Sequence, residues 1–162
     1  MKNNTPTIAS FTVDHDLFGE GFYVSRRDGD VTTYDMRTRR PNGGDYMSNL
    51  AMHSVEHMFA TYIRASDIGR NVLYFGPMGC QTGFYLLVRG LSDETVLSAV
   101  LDVLEKIIGH DGEMFGNTRK ECGNYKNLDL GTAKEECRRY LAVLRNETSF
   151  FVYPDKTEGG QE

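Results

Sequence analysis

The run from Met47 to Ala65 constrains this chain more than any other stretch. It reads as one amphipathic helix, with Leu50, Met52, Val55, Met58, Phe59, Tyr62 and Ile63 spreading apolar cover over more than half its circumference. Such a helix belongs in the middle of a domain or at a subunit interface, so the rest of the chain has to be folded around it. Inside it stands His53-Ser54-Val55-Glu56-His57. Residues four apart share one helix face, and Glu56 falls about 60° to the other side of His53, so the three side chains fit within an arc of about 100°. Two imidazoles and a carboxylate aimed at one point suit a divalent metal with an acid/base beside it. H-x-x-x-H alone is common, and the bland alternative is a helix with two surface or core-satisfied histidines. The glutamate before the second histidine makes the pattern H-x-x-E-H, a recognised zinc-site arrangement. Two of the four histidines of the chain lie here.

The 162 residues suffice for one domain of ordinary size, and 40% hydrophobic with 25% charged residues fits a globular protein. The net charge of −5 comes from interspersed acids and bases, without the basic patch that announces nucleic acid. No leader-like apolar run opens the chain and no window approaches a membrane span. Three widely spaced cysteines make no disulfide framework. The expectation is a reduced, cytoplasmic protein whose cysteines are core residues, ligands or nucleophiles.

Along the chain, residues 8–14 alternate at Phe11 and Val13 and predict a strand, with His15 at its end, where a lone histidine is usually a surface residue or bonds the backbone. Gly21 to Arg27 and Val31 to Thr38 flank Asp28-Gly29-Asp30 and predict a hairpin, since Asp-Gly supplies the positive φ of a tight turn. Arg37, Arg39 and Arg40 end the second strand; arginines there are mostly solvated, with room for one that binds an anion or a sugar oxygen. The central helix is expected to begin between Asp45 and Ser48. Asn71 to Phe75 has no polar alternation and predicts a strand buried on both faces. Three glycines and a proline within residues 76–83 predict a bend that holds Cys80, after which Phe84 to Val88 resumes as a strand. A helix capped by Ser92 and ended by Gly109 looks structural, with His110 on the surface beside it. Cys122 sits in an aperiodic polar segment, where a cysteine is not there for core packing and reads as a third metal ligand. Asp129 to Asn146 predicts a last amphipathic helix with Cys137 on its apolar stripe, residues 150–153 a final extended piece, and residues 155–162 a disordered tail after one domain over 1–154.

His53, His57 and Cys122 would leave a tetrahedral metal one open position, the mark of a catalytic rather than a structural site. Glu56 points near that position as a general acid/base, and Cys80, flanked by glycines that permit close approach, serves as a second base when held as thiolate. Two proton-transfer groups around one Lewis acid suit chemistry next to a carbonyl.

His-Ser-Val-Glu-His, Gly-Pro-Met-Gly-Cys-Gln-Thr-Gly-Phe-Tyr and Glu-Cys-Gly-Asn-Tyr, in this order, resemble the motifs of S-ribosylhomocysteine lyase, the LuxS family. Ser-Phe-Thr-Val-Asp-His and Tyr-Asp-Met-Arg are similar to further motifs of it, and the likeness covers roughly residues 8 to 145. The resemblance implies a single α+β domain, with helices packed on one side of a largely antiparallel sheet, and a homodimer with two sites at the subunit interface. It implies one divalent metal per subunit, Fe(II) with zinc or cobalt as replacements, on His53, His57 and Cys122. Glu56 and Cys80 match the acid/base pair, and Ser10, His15 and Arg37 match positions near the small-molecule substrate. The implied reaction splits S-ribosylhomocysteine into homocysteine and 4,5-dihydroxy-2,3-pentanedione, the precursor of autoinducer-2, by carbonyl migration and β-elimination. One departure stands out: Tyr74 occupies a position where some members carry an aspartate near the substrate, and a phenol can hydrogen-bond a hydroxyl but is no carboxylate at neutral pH.

Two rivals accompany this reading. A metallopeptidase of the H-x-x-E-H type would want a third carboxylate ligand, for which Glu121 is available, but has no use for Cys80. A non-catalytic metal-binding domain would close its site with Cys80 as fourth ligand.

Overall fold

The hairpin forms where the Asp-Gly turn requires it. β1 (Gly21–Asp28) and β2 (Val31–Arg37) pair antiparallel, Gly29 takes φ +60°, and a bulge between Val24 and Arg26 shifts the register. The computed structural model describes residues 5–154; the expected tail at 155–162 lies outside them. β3 (Val72–Pro77) and β4 (Gly83–Arg89) form the second hairpin around the glycine-rich bend. The four strands make one antiparallel sheet in the order β1-β2-β4-β3. Phe22, Tyr34, Met36, Phe84, Leu86 and Val88 face one side of it and enter the core, as period-2 alternation dictates.

The central helix, α2 (Asn49–Ala65), starts at Ser48, whose side chain accepts from the Ala51 N–H. It packs against β3 and against α3 (Asp93–Ile108) and α4 (Leu130–Asn146), which are capped by Ser92 and Asp129. Met58, Phe59 and Ile63 are wholly enclosed. Helices packed on an antiparallel sheet, in one α+β domain, are the fold class the sequence implied. Among the described residues, no helix is long and apolar enough to cross a membrane.

Several local expectations are corrected. Residues 8–14 form no strand: α1 (Ala9–Thr12) is a single helical turn, closed by the Phe11 N–H on the Ile8 carbonyl and the Thr12 hydroxyl on the Ala9 carbonyl. Two alternating apolar residues are too few to fix a strand without a partner edge, and Phe11 is left 76% exposed. β3 lies at the sheet edge, so Leu73 and Tyr74 are exposed rather than buried; the Tyr74 ring folds over Gly76 and fills the space a Cβ would take. His110 is half-buried and bonded through both ring nitrogens. Arg37 and Arg39 are buried and ion-paired, to Asp35 and Glu136; Arg40 alone of the three is exposed. Cys137 is in the core as expected, and burial, reinforced by the charge of Glu136, pushes its thiol up to about 12. Phe151 bridges Tyr23 in parallel, so the stretch after α4 does pack as an extended piece on β1.

Candidate active site

The candidate residues fall into two groups, set by different elements. The first is built on one face of α2 and on the irregular segment between α3 and α4. The rings of His53 and His57 meet edge-on, with centroids 4.6 Å apart. The segment returns along the helix and is tied to it by the Asn127 amide on Asn49 Oδ1 (2.6 Å) and the Asp129 N–H on Ser54 Oγ (2.8 Å). His53 Nδ1 lies 2.8 Å from the Asn127 carbonyl and His57 Nδ1 lies 2.9 Å from the Phe115 carbonyl. A carbonyl only accepts, so both Nδ1 atoms carry the proton and both Nε2 lone pairs are turned outward as donors to a metal. Cys122 Sγ is 3.4 Å from His53 Nε2 and accepts the Asn124 N–H, also at 3.4 Å. One ligand atom from each of His53, His57 and Cys122 lies within 4.8 Å of the others, so this group could hold a metal ion. The donor set fits: two imidazoles with backbone carbonyls behind them and a thiol are the ligand types of a three-residue tetrahedral site, which keeps its fourth position open.

Gly116 belongs to this geometry. It takes φ +66°, and a Cβ there would stand 2.9 Å from His57 Nδ1. Glu56 and His53 line a hollow of about 280 Å³ together with Pro77 and Asn124. The Glu56 carboxylate has no hydrogen-bond or ion-pair partner among the described residues, so it is free to meet a ligand. Glu121 is different: its carboxylate accepts from the Thr118 N–H and hydroxyl and takes no part in the ligand group.

The second group lies on the sheet face turned away from the core. Asp35 and Arg37 sit two apart on β2 and form a fork, with Arg37 Nη2 to Asp35 Oδ2 at 2.6 Å and Nε to Oδ1 at 3.0 Å. Both side chains are almost fully enclosed, at 3% and 2% exposure. Tyr153 donates to Asp35 at 2.6 Å, and Phe18 lies under the guanidinium at 5.0 Å. The remaining Arg37 nitrogen donates to Thr82 Oγ1 at 2.8 Å and lies 3.9 Å from Cys80 Sγ, which contacts the same hydroxyl at 3.0 Å. Cys80 is exposed, in a bend where the neighbouring Gln81 takes φ +66°. His15 packs on Phe18, with centroids 5.4 Å apart, and its Nδ1 bonds the Val13 carbonyl. Ser10 hydrogen-bonds Tyr85; burial and the charge of Asp35 raise the Tyr85 phenol, to which Arg37 and Cys80 lie near. Among the described residues, no hydrogen bond, ion pair or ring contact joins this group to the first.

With both groups in view, the relatives are decisive. The family model for S-ribosylhomocysteinase (LuxS) matches residues 8–150, which contain every residue of the two groups except Tyr153. This chain belongs to the LuxS family. It is 38% identical to the S-ribosylhomocysteine lyase of Finegoldia magna, over 91% of this chain and 98% of the relative. It is 41% identical to that of Phocaeicola vulgatus over 91% and 96%, and 39% identical to that of Borreliella afzelii over 86% and 92%. The family's named activity is a carbon–sulfur lyase reaction.

Sequence reasoning passed over several residues of both groups. Asp35 could have been found, because two residues apart on a strand is one face and Asp35 would then pair with Arg37. Phe115 and Asn127 contribute backbone carbonyls, and no side-chain pattern announces those.

Proposed function

We propose that this chain cleaves S-ribosylhomocysteine to homocysteine and 4,5-dihydroxy-2,3-pentanedione, the autoinducer-2 precursor. The observation that carries the reading is the outward-facing ligand group His53, His57 and Cys122 in a member of this family, with an unpartnered Glu56 alongside. These three residues would hold one divalent metal, Fe(II) in the cell and zinc or cobalt as replacements; imidazole and thiolate donors suit all three. When bound, the metal supplies a Lewis acid at the open position, which makes the carbons next to a sugar carbonyl acidic.

The protein's own groups move the protons. Glu56 and Cys80 are the two carriers. For the carbonyl to pass from C1 to C2 of the opened ribose, a proton leaves C2 and one is returned at C1; repeating the exchange between C3 and C2 brings the carbonyl to C3. Removal of the C4 proton then breaks the C5–S bond by β-elimination, and homocysteine leaves as a thiolate that takes up a proton. Two carriers avoid asking one group to serve both ends of each shift. Arg37, locked by Asp35 and Thr82, stands ready to pair with the Cys80 sulfur when it carries charge. Ser10 and His15 offer hydroxyl and imidazole contacts to the sugar, Arg37 serves the substrate face from beneath through Cys80 and Thr82, and the exposed Tyr74 offers a phenol where a carboxylate is found in some relatives.

Among the described residues no hydrogen bond, ion pair or ring contact joins the two groups within one chain, which favours a complete site at the interface of a homodimer. The outer sheet face supports that arrangement: Ile8, Tyr74 and Leu87 line an open apolar hollow of about 490 Å³ there, beside Ser10 and Tyr85. The work of reduced thiols fits a cytoplasmic protein, and all three cysteines are unpaired. The test is thiol release from S-ribosylhomocysteine by anaerobically purified protein, with its metal counted. No release from protein carrying one ion per chain would sink the lyase reading. For the interface, inactive His57→Ala and Cys80→Ala chains are mixed: activity returns if sites are shared between chains and stays absent if each chain is self-contained.

A further inference from the structure

His110 is a group the chemistry above does not use, yet all of it is engaged. Its Nε2 lies 2.8 Å from the Glu113 carbonyl, which only accepts, so Nε2 carries the proton. Its Nδ1 therefore accepts from the Tyr62 hydroxyl, also at 2.8 Å. Lys134 Nζ caps the His110 carbonyl at 2.5 Å. The ring is thus fixed to α2 through Tyr62, the backbone of His110 is tied to α4 through Lys134, and the residue stands at the point where the irregular segment begins. Phe115 is held between both rings, 4.8 Å from His110 and 5.3 Å from Tyr62, edge-on to each. The carbonyl of Phe115 is the acceptor that fixes His57 Nδ1. Gly116, the next residue, lies against the same imidazole. The segment belongs to no helix or strand here, so its carbonyls depend on contacts such as this ring cluster for their position.

We propose that His110 is a positioning residue for the metal centre: bonded to Tyr62 and Glu113, it clamps Phe115 so that the Phe115 carbonyl holds His57 in its metal-binding tautomer and angle. The inference rests on the reading that His53, His57 and Cys122 bind a metal. It acts one shell further out than the carbonyl itself. Removing a direct partner of a ligating histidine typically weakens metal binding about 10- to 100-fold, so the more distant effect of His110 falls below that range, about three- to tenfold.

The test loads the protein with Co(II) and follows loss of the visible absorption on adding excess chelator. His110→Phe keeps a ring against Phe115 and removes both hydrogen bonds; His110→Ala removes both; Tyr62→Phe removes one bond. Expected is faster release in the order Tyr62→Phe, His110→Phe, His110→Ala, with a shifted Co(II) band, while wild-type protein takes up one ion per chain. The melting temperature of metal-free protein is the control: a merely structural role lowers it and leaves the release rate at the wild-type value, which overturns the proposal. Wild-type protein that takes up no Co(II) overturns the metal reading itself, and the clamp with it.

Discussion

The two polar groups of this molecule are built on opposite plans. Around Arg37, every strong donor and acceptor already has a protein partner: a bidentate carboxylate, a tyrosine hydroxyl, a threonine and an aromatic ring. It sits on paired strands, where backbone position is set by the ladder. Around His53 and His57 the partners are all behind the rings, and the Nε2 atoms face one another and Cys122. Among the described residues Cys122 Sγ, 3.4 Å from His53 Nε2, is the one hydrogen-bond partner on that side, and the three together could take a metal ion. The first group is a fixed charge; the second is a socket. The difference teaches where each is vulnerable: the sheet group to loss of its internal partner, the socket to any shift of the segment behind it.

The comparison can be broken at several points. Glu56→Gln keeps the socket and removes a proposed proton carrier, so kcat for thiol release is expected to fall about 10²- to 10⁴-fold with metal content unchanged. Asp35→Ala leaves a buried guanidinium without its carboxylate and lowers stability by about 3–5 kcal/mol in urea titration, again with the metal retained. Gly116→Ala strikes the socket alone: its left-handed φ and its contact with His57 together cost about 1–3 kcal/mol, and metal release quickens. An alkaline titration sharpens the view of the sheet group. Tyr23, on β1, stands opposite Asp35 and stacks on Tyr153; burial, then the charge of Asp35, pushes its phenol up to about 12 from its ordinary value of 10.0. Its contribution to stability is therefore complete below pH 10 and is lost as pH rises from there through about 12, so the urea midpoint falls across that window and Tyr23→Phe flattens part of the fall. Ser48→Ala, at the cap of α2, costs about 1 kcal/mol, with any change in metal release confined to the fraying of the first turn.

Much of this was legible in the residues. The caps Ser48, Ser92 and Asp129, the Asp-Gly turn and the apolar stripe of α2 carry local signals strong enough to place three helices and a hairpin. His53, Glu56 and His57 could be grouped because helical geometry alone puts them on one face. Cys122 joins them across 69 residues because the segment after α3 is laced to α2, in large part by backbone carbonyls, which carry no residue code. The solvated reading of Arg37 and Arg39 failed because their carboxylate partners, Asp35 two residues back on β2 and Glu136 on α4, make burial tolerable. The strand expected at residues 8–14 failed because Ile8 to Ser10 lie across the sheet face beside Tyr85 rather than along an edge strand, and β3 reads as interior because its exposed Leu73 and Tyr74 are themselves apolar.

The account stands or falls on the division of labour between socket and fixed charge. The direct measurement compares Cys122→Ala with Cys80→Ala, both purified anaerobically, counting bound metal and following thiol release from S-ribosylhomocysteine. The account predicts that Cys122→Ala loses the metal and the activity, whereas Cys80→Ala keeps one ion per chain and loses only the activity. Loss of the metal in Cys80→Ala, or thiol release at the wild-type rate from either variant, would contradict it.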